Sequence, residues 1–250
     1  MNSTLKALSA QIKQCDVILY VLDARCPNSC LNPSFEQFTA RKPVLFVLNK
    51  ADLAPSSSFK GISLVSTQTN SGKKVVSAIK KMLPNKPRVH AMVIGVPNCG
   101  KSTLINNLAR AGKTKTADRP GVTRQPQWVA AAVTEIQLFL LDTPGILWPN
   151  LENPRVAKNL AYIGSIKDDV LDTVELAREL LADLDRIKSS PSLEGVDARS
   201  ADGVVLFQQF CKKRGFILKG GRVDELRGAK AVLTDFRAGK FGRFNLDGVE

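Results

Sequence analysis

The stretch Gly95-Val96-Pro97-Asn98-Cys99-Gly100-Lys101-Ser102 decides the fold, because it fits the pattern G-x-x-x-x-G-K-[ST]. An apolar run at 91–95 leads into it, and a helical pattern from Ser102 to Ala111 follows it. In this context the glycines let backbone N–H groups curl around phosphates at the start of a helix. A chance match is credible mainly where strand and helix are missing, so the stretch predicts a phosphate-binding loop.

Residues in and just after this loop are the first candidates for nucleotide contacts. Lys101 is expected to neutralise the β and γ phosphates of a nucleoside triphosphate, and Ser102 to offer its hydroxyl to Mg²⁺. The residues of this loop predicted to bind nucleotide are Pro97, Asn98, Cys99, Gly100, Lys101, Ser102 and Thr103.

Outward from the loop, strand patterns alternate with helical ones, which is typical of a mainly parallel α/β sheet. Val75 to Leu83 is a second helical pattern of this half of the chain. We predict an α/β P-loop fold with six strands, at Asp16–Asp23, Pro43–Leu48, Ile62–Val65, Ala91–Gly95, Gln127–Val133 and Ile136–Leu141.

The character of the sequence changes after Pro149, because no strong strand pattern follows. Helices are predicted within 155–187, at 202–214 and at 224–237, with a Ser/Pro-rich linker at 189–192. We therefore predict a nucleotide-binding domain at 1–150 and a small, basic, all-helical domain at 151–250.

A second motif, Asp142-Thr143-Pro144-Gly145, ends the strand pattern that follows the phosphate-binding loop along the chain. Ligands of open α/β sheets bind at the carboxyl ends of strands, so Asp142 is expected to hold the magnesium shell. Gly145 is expected to present its N–H group to the γ-phosphate in a segment that moves when that phosphate leaves. Thr123 lies between the two motifs, where a switch threonine would join the magnesium shell; the alternative is a capped turn.

A third motif, Asn49-Lys50-Ala51-Asp52, closes another strand pattern and favours guanine over adenine. Asp52 can accept hydrogen bonds from N1–H and the exocyclic amine of guanine, whereas adenine would leave the carboxylate unpaired. Lys50 is expected to lie along the base, and Asn49 to brace the neighbouring loop. Ser66 and Thr67 follow a short strand and are expected to donate backbone N–H groups to the guanine carbonyl. Since this motif precedes the phosphate-binding loop, the order of motifs predicts a circularly permuted GTPase.

Composition adds an expectation about partners. The formal charge of the 250 residues is +13, which favours a polyanionic partner, although general solubility is the alternative. Five cysteines without CxxC pairs predict reduced thiols, and the absence of a roughly 20-residue apolar run argues against a membrane span. Two stretches concentrate the positive charge, namely 60–88 and the last forty residues.

Together these motifs resemble the YlqF/RbgA family of ribosome assembly GTPases, which includes a mitochondrial branch. The resemblance also rests on Asp23-Ala24-Arg25-Cys26-Pro27, the stretches 118–123 and 142–149, Gly164-Ser165-Ile166-Lys167-Asp168 and Lys240-Phe241-Gly242-Arg243. It implies a G domain with an all-helical C-terminal domain that binds the large ribosomal subunit and rRNA. It also implies GTP hydrolysis stimulated by that subunit, and a potassium ion held by Asn98.

The motifs assign the hydrolytic reaction to Lys101, Thr123 and Gly145, with GTP or GDP and Mg²⁺ as cofactors, and the resemblance adds K⁺. Two departures concern the attacking water: Ile146 stands where Ras-like enzymes place a glutamine, and the histidine that the family carries before its first strand is missing. His90, the only histidine, is expected to be structural. The alternative is a GTP-dependent RNA-binding module with negligible turnover; an ATPase is a third reading.

The resemblance further predicts a protein that is monomeric off the ribosome. It is expected in the cytoplasm, or in the mitochondrial matrix if it comes from the organellar branch. The residues predicted to touch rRNA are Lys212, Lys213, Arg214, Arg237, Lys240 and Arg243.

Overall fold

A computed structural model describes residues 11–111, 127–133, 136–143, 153–187 and 202–248. Within these ranges six strands form one sheet, in the order β3-β2-β1-β4-β6-β5. Neighbouring strands are parallel except for the antiparallel pair of β5 with β6. The strands are β1 Val17–Asp23, β2 Val44–Asn49, β3 Ile62–Ser63, β4 Arg88–Ile94, β5 Gln127–Val133 and β6 Ile136–Asp142. The prediction of a mainly parallel six-stranded α/β sheet is confirmed.

The burial of the strands explains their composition. Every residue of β1 is buried, as its apolar sequence VILYVLD requires of a strand between two parallel neighbours. Strand β6, which lies between β4 and the edge strand β5, alternates buried and more exposed residues in its first half, as a strand with one less covered face does.

Helices cover the sheet and continue beyond it. The helices are α1 Glu36–Thr39, α2 Ser71–Met82, α3 Lys101–Ala111, α4 Pro154–Tyr162, α5 Thr173–Ile187, α6 Gly203–Lys213 and α7 Glu225–Arg237. Short 3-10 turns lie at Ala51–Leu53, Asp168–Val170 and Leu246–Gly248, among other places. Each predicted helical segment forms a helix, and the segment 155–187 forms two. The predicted segments are 75–83, 102–111, 155–187, 202–214 and 224–237.

Local signals explain where three of the C-terminal helices begin. The side chains of Asn153, Asp202 and Asp224 accept hydrogen bonds from the first N–H groups of α4, α6 and α7. Such caps satisfy donors that have no partner inside the helix. Pro154 opens α4, where its missing N–H group has no cost.

The helices after residue 152 pack on one another and on the sheet half of the chain. Leu180 of α5, Phe207 of α6 and Val232 of α7 are fully buried together with the strand residues in one hydrophobic core. Residues 144–152, where we predict the domain boundary, lie outside the described residues, so the division at 150 stays a prediction. No described helix is long and apolar enough to cross a membrane.

Candidate nucleotide-binding site

The carboxyl ends of the central strands bring the three motifs to one edge of the sheet. Asp23 and Asn49 are register partners at the ends of β1 and β2, and Val93 is the partner of Asp142. Gly95 follows directly from β4, which lies between β1 and β6. The motifs are thus spatial neighbours although their order along the chain is permuted.

The loop after β4 owes its path to two glycines. Gly95 has φ 150° and Gly100 has φ 97°, both in a region that side chains rarely adopt. A Cβ atom at Gly95 would lie 2.2 Å from the carbonyl oxygen of Val21, and one at Gly100 would lie 2.1 Å from Nδ2 of Asn49. Glycine is therefore required at both positions by contact with the neighbouring strand ends.

Lys101 opens α3 and is buried against its own loop. Its ammonium group donates to the carbonyl oxygens of Gly95, at 3.0 Å, and Val96, at 2.9 Å. Ser102 and Thr103 are exposed on the first turn of the same helix. The arrangement leaves the Ser102 hydroxyl accessible for a cation and keeps the lysine charge at the loop.

A single amide side chain joins the guanine motif to the phosphate-binding loop. Asn49, which is buried, donates through Nδ2 to the carbonyl of Cys99 at 2.8 Å. Its Oδ1 accepts from the backbone N–H of Ser66, also at 2.8 Å. Because one residue satisfies groups on two other loops, losing it would leave buried polar groups without partners.

Asp52 and Thr67, the remaining residues predicted to contact the base, are both exposed. Asp52 sits in the 3-10 turn Ala51–Leu53, which begins immediately after Lys50. Lys50 adopts a left-handed backbone conformation, with φ 57°. This kink turns the chain sharply at the end of β2 and presents the carboxylate of Asp52 to solvent.

Asp23 and Arg25 form a buried ion pair to which the sequence alone assigns no role. Arg25 donates to both carboxylate oxygens of Asp23, from Nε at 2.9 Å and from Nη2 at 2.8 Å. Lys50 Nζ lies 3.0 Å from the same carboxylate. Burial raises the pKa of Asp23, but the hydrogen bonds and charges of Arg25 and Lys50 outweigh burial and lower this pKa to about 2. In the sequence, only the motif Asp23-Ala24-Arg25 could have indicated this ion pair.

The structure describes the motif Asp142-Thr143-Pro144-Gly145 as far as Thr143. Asp142 ends β6 next to the loop strand β4 and is buried. The hydroxyl of Thr143 donates to the carbonyl of Val93 at 2.6 Å, which fixes the chain where β6 ends. Thr123, Gly145 and Ile146 lie outside the described residues, so their predicted places at the γ-phosphate and magnesium stay predictions.

Asn98 faces the C-terminal helices. Its Nδ2 donates to the carbonyl of Gly164 at 2.6 Å, while its own backbone carbonyl accepts from Lys50 Nζ at 2.7 Å. Ser165 donates through its hydroxyl to the carbonyl of Pro97 at 2.7 Å. The stretch Gly164-Ser165 therefore contacts the phosphate-binding loop directly, a contact that the sequence did not suggest.

His90 lies at the opposite end of β4 from the loop. Its ring stacks on Phe139, with centroids 4.9 Å apart, and meets the edge of Trp128 at 5.2 Å. This packing agrees with the structural role expected for it.

All five cysteines are buried and free, and burial raises the pKa of Cys99 to about 11. The described ranges contain no cluster of His, Cys, Asp and Glu suited to a metal ion.

Comparison with known proteins identifies the family. A family model described as "50S ribosome-binding GTPase" matches residues 90–194. "Ribosome biogenesis GTPase A" of Bacillus licheniformis is 34% identical over 278 residues, covering 100% of this chain and 96% of that protein. "Mitochondrial ribosome-associated GTPase 1" of Ictalurus punctatus is 33% identical over 298 residues, covering 99% and 90%.

Solved structures agree on the fold. The GDP-bound structure of YlqF superimposes with a TM-score of 0.71 at 23% identity and covers 96% of this chain and 97% of that one. The GNP-bound YlqF from T. maritima gives a TM-score of 0.70, again at 23% identity, over 98% and 97%. On the strength of the full-length sequence similarity, this chain belongs to the ribosome biogenesis GTPase A family.

Proposed function

We propose that the chain is a GTP-hydrolysing ribosome assembly factor that acts with the large ribosomal subunit. The observation that carries the proposal is the bridge made by Asn49, which holds the guanine motif, the Ser66 loop and the phosphate-binding loop together. Such a bridge places base recognition and phosphate binding within one site. Membership of the family supports the ribosomal partner.

Base selection is assigned to the exposed carboxylate of Asp52. Guanine offers it two donors, whereas adenine would place an acceptor beside it and leave the charge without a partner. Lys50 lies along the base, while the backbone at Ser66 and Thr67 donates to the guanine carbonyl. The phosphates are surrounded by the loop backbone and the first turn of α3, through Pro97, Asn98, Cys99, Gly100 and Thr103.

The magnesium ligands are assigned to Ser102, Asp142 and Thr123. An accessible hydroxyl on α3 and a carboxylate at the adjacent strand end are hard oxygen donors, which Mg²⁺ prefers. Magnesium would neutralise charge on the β and γ phosphates there. When nucleotide binds, Lys101 is proposed to exchange its hydrogen bonds to the carbonyls of Gly95 and Val96 for bonds to phosphate oxygens. The N–H of Gly145 is proposed to bind the γ-phosphate.

We propose that a potassium ion bound at Asn98 supplies positive charge to the site in addition to the charge of Lys101. The Nδ2 group of Asn98 is engaged by Gly164, and its Oδ1 is the atom suited to a cation. Ile146 cannot hydrogen-bond the attacking water, so we propose that the bound subunit completes that part of the site. Hydrolysis by the isolated chain should accordingly be slow.

We propose that the division near residue 150 separates a GTPase domain from a helical RNA-binding domain. The contacts of Pro97 and Asn98 with Gly164 and Ser165 support coupling between the two, since a change in the loop alters hydrogen bonds to the helices. We propose the segment 145–149 as a second connection, because along the chain it runs from the γ-phosphate motif directly into the helical region.

The helical region offers fewer free basic groups for rRNA than the sequence suggested. Arg237 binds Asp168 and the carbonyls of Ala161 and Tyr162, which ties it into the fold and lowers the pKa of Asp168. Arg214 and Lys240 both pair with Asp235. We therefore assign the phosphate contacts chiefly to the exposed Lys212, Lys213 and Arg243, with exposed neighbours Lys219, Arg222, Arg227 and Lys230.

The decisive experiment measures phosphate release from GTP by the purified chain, with and without large ribosomal subunits, in potassium and in sodium. We expect slow release alone and faster release with subunits in potassium. Background release in every mixture, with GTP-dependent co-sedimentation preserved, would instead support an RNA-binding module without turnover. Equal binding of GTP and ATP would overturn the guanine assignment.

A further inference from the structure

Residues 236–247 contact the turn Ala51–Leu53, which carries Asp52, the residue proposed to bind guanine. The segment Phe236 to Asp247, here called the C-terminal clasp, runs from the end of α7 to the turn Leu246–Gly248. It touches both loops that follow the central strands β1 and β2. We propose that the C-terminal clasp and Arg25 position the guanine-recognition loop, an assignment that rests on the proposed function and extends it.

The first link runs from the clasp to Lys50 through the buried ion pair. Arg25 Nη1 donates to the carbonyl of Phe236 at 3.4 Å, and its guanidinium carbon lies 4.9 Å from the centre of the Phe236 ring. The same guanidinium holds Asp23, whose carboxylate holds the ammonium of Lys50. Phe236 thus contacts one end of a network of charged side chains. The other end of this network is Lys50, the residue proposed to lie along the base.

The second link joins the clasp to the turn that carries Asp52. The N–H of Phe244 donates to the carbonyl of Leu53 at 3.2 Å. Gly239 lies so close to Leu53 that a Cβ atom there would be 2.4 Å from its Cδ2. Leu53 is the residue after Asp52, so the clasp contacts the guanine-specific turn itself.

A third link anchors the clasp to the loop after β1. The carboxylate of Asp247 accepts from the N–H groups of Asn28 and Ser29 and from the Ser29 hydroxyl, at 2.7, 3.2 and 2.6 Å. The N–H of Leu246 donates to the carbonyl of Arg25 at 2.7 Å. These bonds hold the far end of the clasp against the loop that carries Arg25.

The links act on the base side of the site, not on the γ-phosphate side. Positioning of Lys50 and Asp52 affects GDP and GTP alike, because both carry guanine. Any partner that moves the clasp would therefore change the affinity for both nucleotides by the same factor, and nucleotide would change the affinity for that partner reciprocally. This differs from a switch that senses only the γ-phosphate.

The test replaces Phe236 by Leu and uses Phe207→Leu as the matched control. Both phenylalanines are buried in the C-terminal helices, and both carry a stacked arginine, Arg25 on Phe236 at 4.9 Å and Arg178 on Phe207 at 5.7 Å. Dissociation constants for fluorescent GDP and for a nonhydrolysable fluorescent GTP analogue are measured, with the thermal unfolding midpoint of each variant. We expect Phe236→Leu to weaken the binding of both nucleotides about tenfold and equally, with Phe207→Leu unchanged.

A second pair of variants tests the contact with Leu53. Gly239→Ala introduces a close contact at Leu53, whereas Gly215→Ala introduces none within 4 Å, and the two glycines have similar φ values of 78° and 67°. Backbone strain is therefore comparable, and only Gly239→Ala should weaken both nucleotides. If GDP and GTP affinities in Phe236→Leu and Gly239→Ala match those of their controls, the inference is overturned while the proposed function stands. If the unchanged chain binds neither nucleotide, the proposed function fails and the inference with it.

Discussion

Asn98 of the phosphate-binding loop donates its side-chain amide to the carbonyl of Gly164, at 2.6 Å, just after α4 ends. Gly164 has φ 78°, and a Cβ atom there would lie 3.1 Å from Nε of Arg237, which in turn binds the carbonyls at the end of α4. The loop residue proposed to hold potassium is thus hydrogen-bonded to a turn that α7 supports. A variant that removes the Asn98 amide loses the proposed cation ligand together with this hydrogen bond, so its control must loosen the contact between loop and helices while keeping the amide.

Asn98→Gly should abolish potassium stimulation, because it removes the amide oxygen while relieving the left-handed backbone conformation of φ 58°. We expect phosphate release in potassium to fall about tenfold or more, to the sodium level. Ser165→Ala is the control, since it removes a hydrogen bond between the helices and Pro97 but leaves Asn98 intact. Potassium stimulation that survives in Asn98→Gly would assign the cation to another group.

Lys101→Met should lower the rate of GTP hydrolysis by about 100-fold or more, because it removes the charge proposed to stabilise the transferring phosphoryl group. Single-turnover phosphate release measures the effect directly. Lys73→Met, which changes an exposed lysine of α2, removes the same charge outside the site and should leave the rate unchanged. A Lys101→Met rate close to that of the control would exclude Lys101 from the reaction.

Asp52→Asn should weaken GTP binding about tenfold or more and improve binding of xanthosine triphosphate. An amide offers the N1–H and amine of guanine a poorer partner, but its NH₂ group can donate to the C2 carbonyl of xanthine. Competition between the two nucleotides measures the exchange of preference. An unaltered preference for GTP over ATP and over the xanthine nucleotide would refute the assignment of Asp52.

Asp23→Asn should destabilise the fold by about 3 kcal/mol or more at pH 7, because it leaves the buried guanidinium of Arg25 without its counter-charge. The pKa of Asp23 is about 2 in the folded chain, against 3.8 for an unperturbed aspartate carboxyl. A depressed pKa contributes stability above pH 3.8 that is lost as pH falls toward 2. The difference in unfolding free energy between the variant and the unchanged chain should therefore be about 1 kcal/mol smaller at pH 3 than at pH 7.

Urea unfolding of both chains at about pH 7, 5 and 3 measures this gap. We expect nearly equal gaps at the two higher pH values, since the Asp23 carboxyl remains largely ionised in the folded and unfolded chains at both. A gap that does not narrow at the lowest pH would show that the ion pair with Arg25 does not depress the pKa.

Reversing the charges of Lys212 and Lys213 to Glu should reduce co-sedimentation with large ribosomal subunits. Each lysine that contacts a phosphate adds about 1 to the slope of log affinity against log salt, so the slope should fall by about 2. The matched control reverses Lys73 and Lys74, two adjacent exposed lysines of α2 on the sheet half of the chain. An equal loss in both variants would indicate a net-charge effect without a specific surface.

Much of the fold was predictable because its signals are local. The apolar run before Gly95 and the helical pattern after Ser102 form β4 and α3, and the exclusively buried residues of β1 were recognisable as a central strand. The loop glycines could be identified from spacing alone, since a backbone with positive φ leaves few other residues.

Other parts of the site depend on contacts between distant residues. Charge counts placed Arg237 on an RNA-binding surface, yet its guanidinium binds Asp168, 69 residues away, inside the helical region. Arg25 had no assigned role, and its bond to the carbonyl of Phe236 spans 211 residues. Neither pairing leaves a periodic pattern in the sequence, because a side chain's partner is fixed by how the elements pack.

The sequence by itself determined the strands, the phosphate-binding loop and the permuted order of motifs, since each depends on residues adjacent in the chain. Only the tertiary structure decided that Asn49 bridges three loops, that Asn98 meets Gly164, and that the C-terminal clasp contacts the turn Ala51–Leu53. Parallel strands bring their carboxyl ends to one edge of the sheet, and packing of the helices brings residues 236–247 to that same edge. Close contact there, and not proximity in sequence, sets which groups share hydrogen bonds and charge.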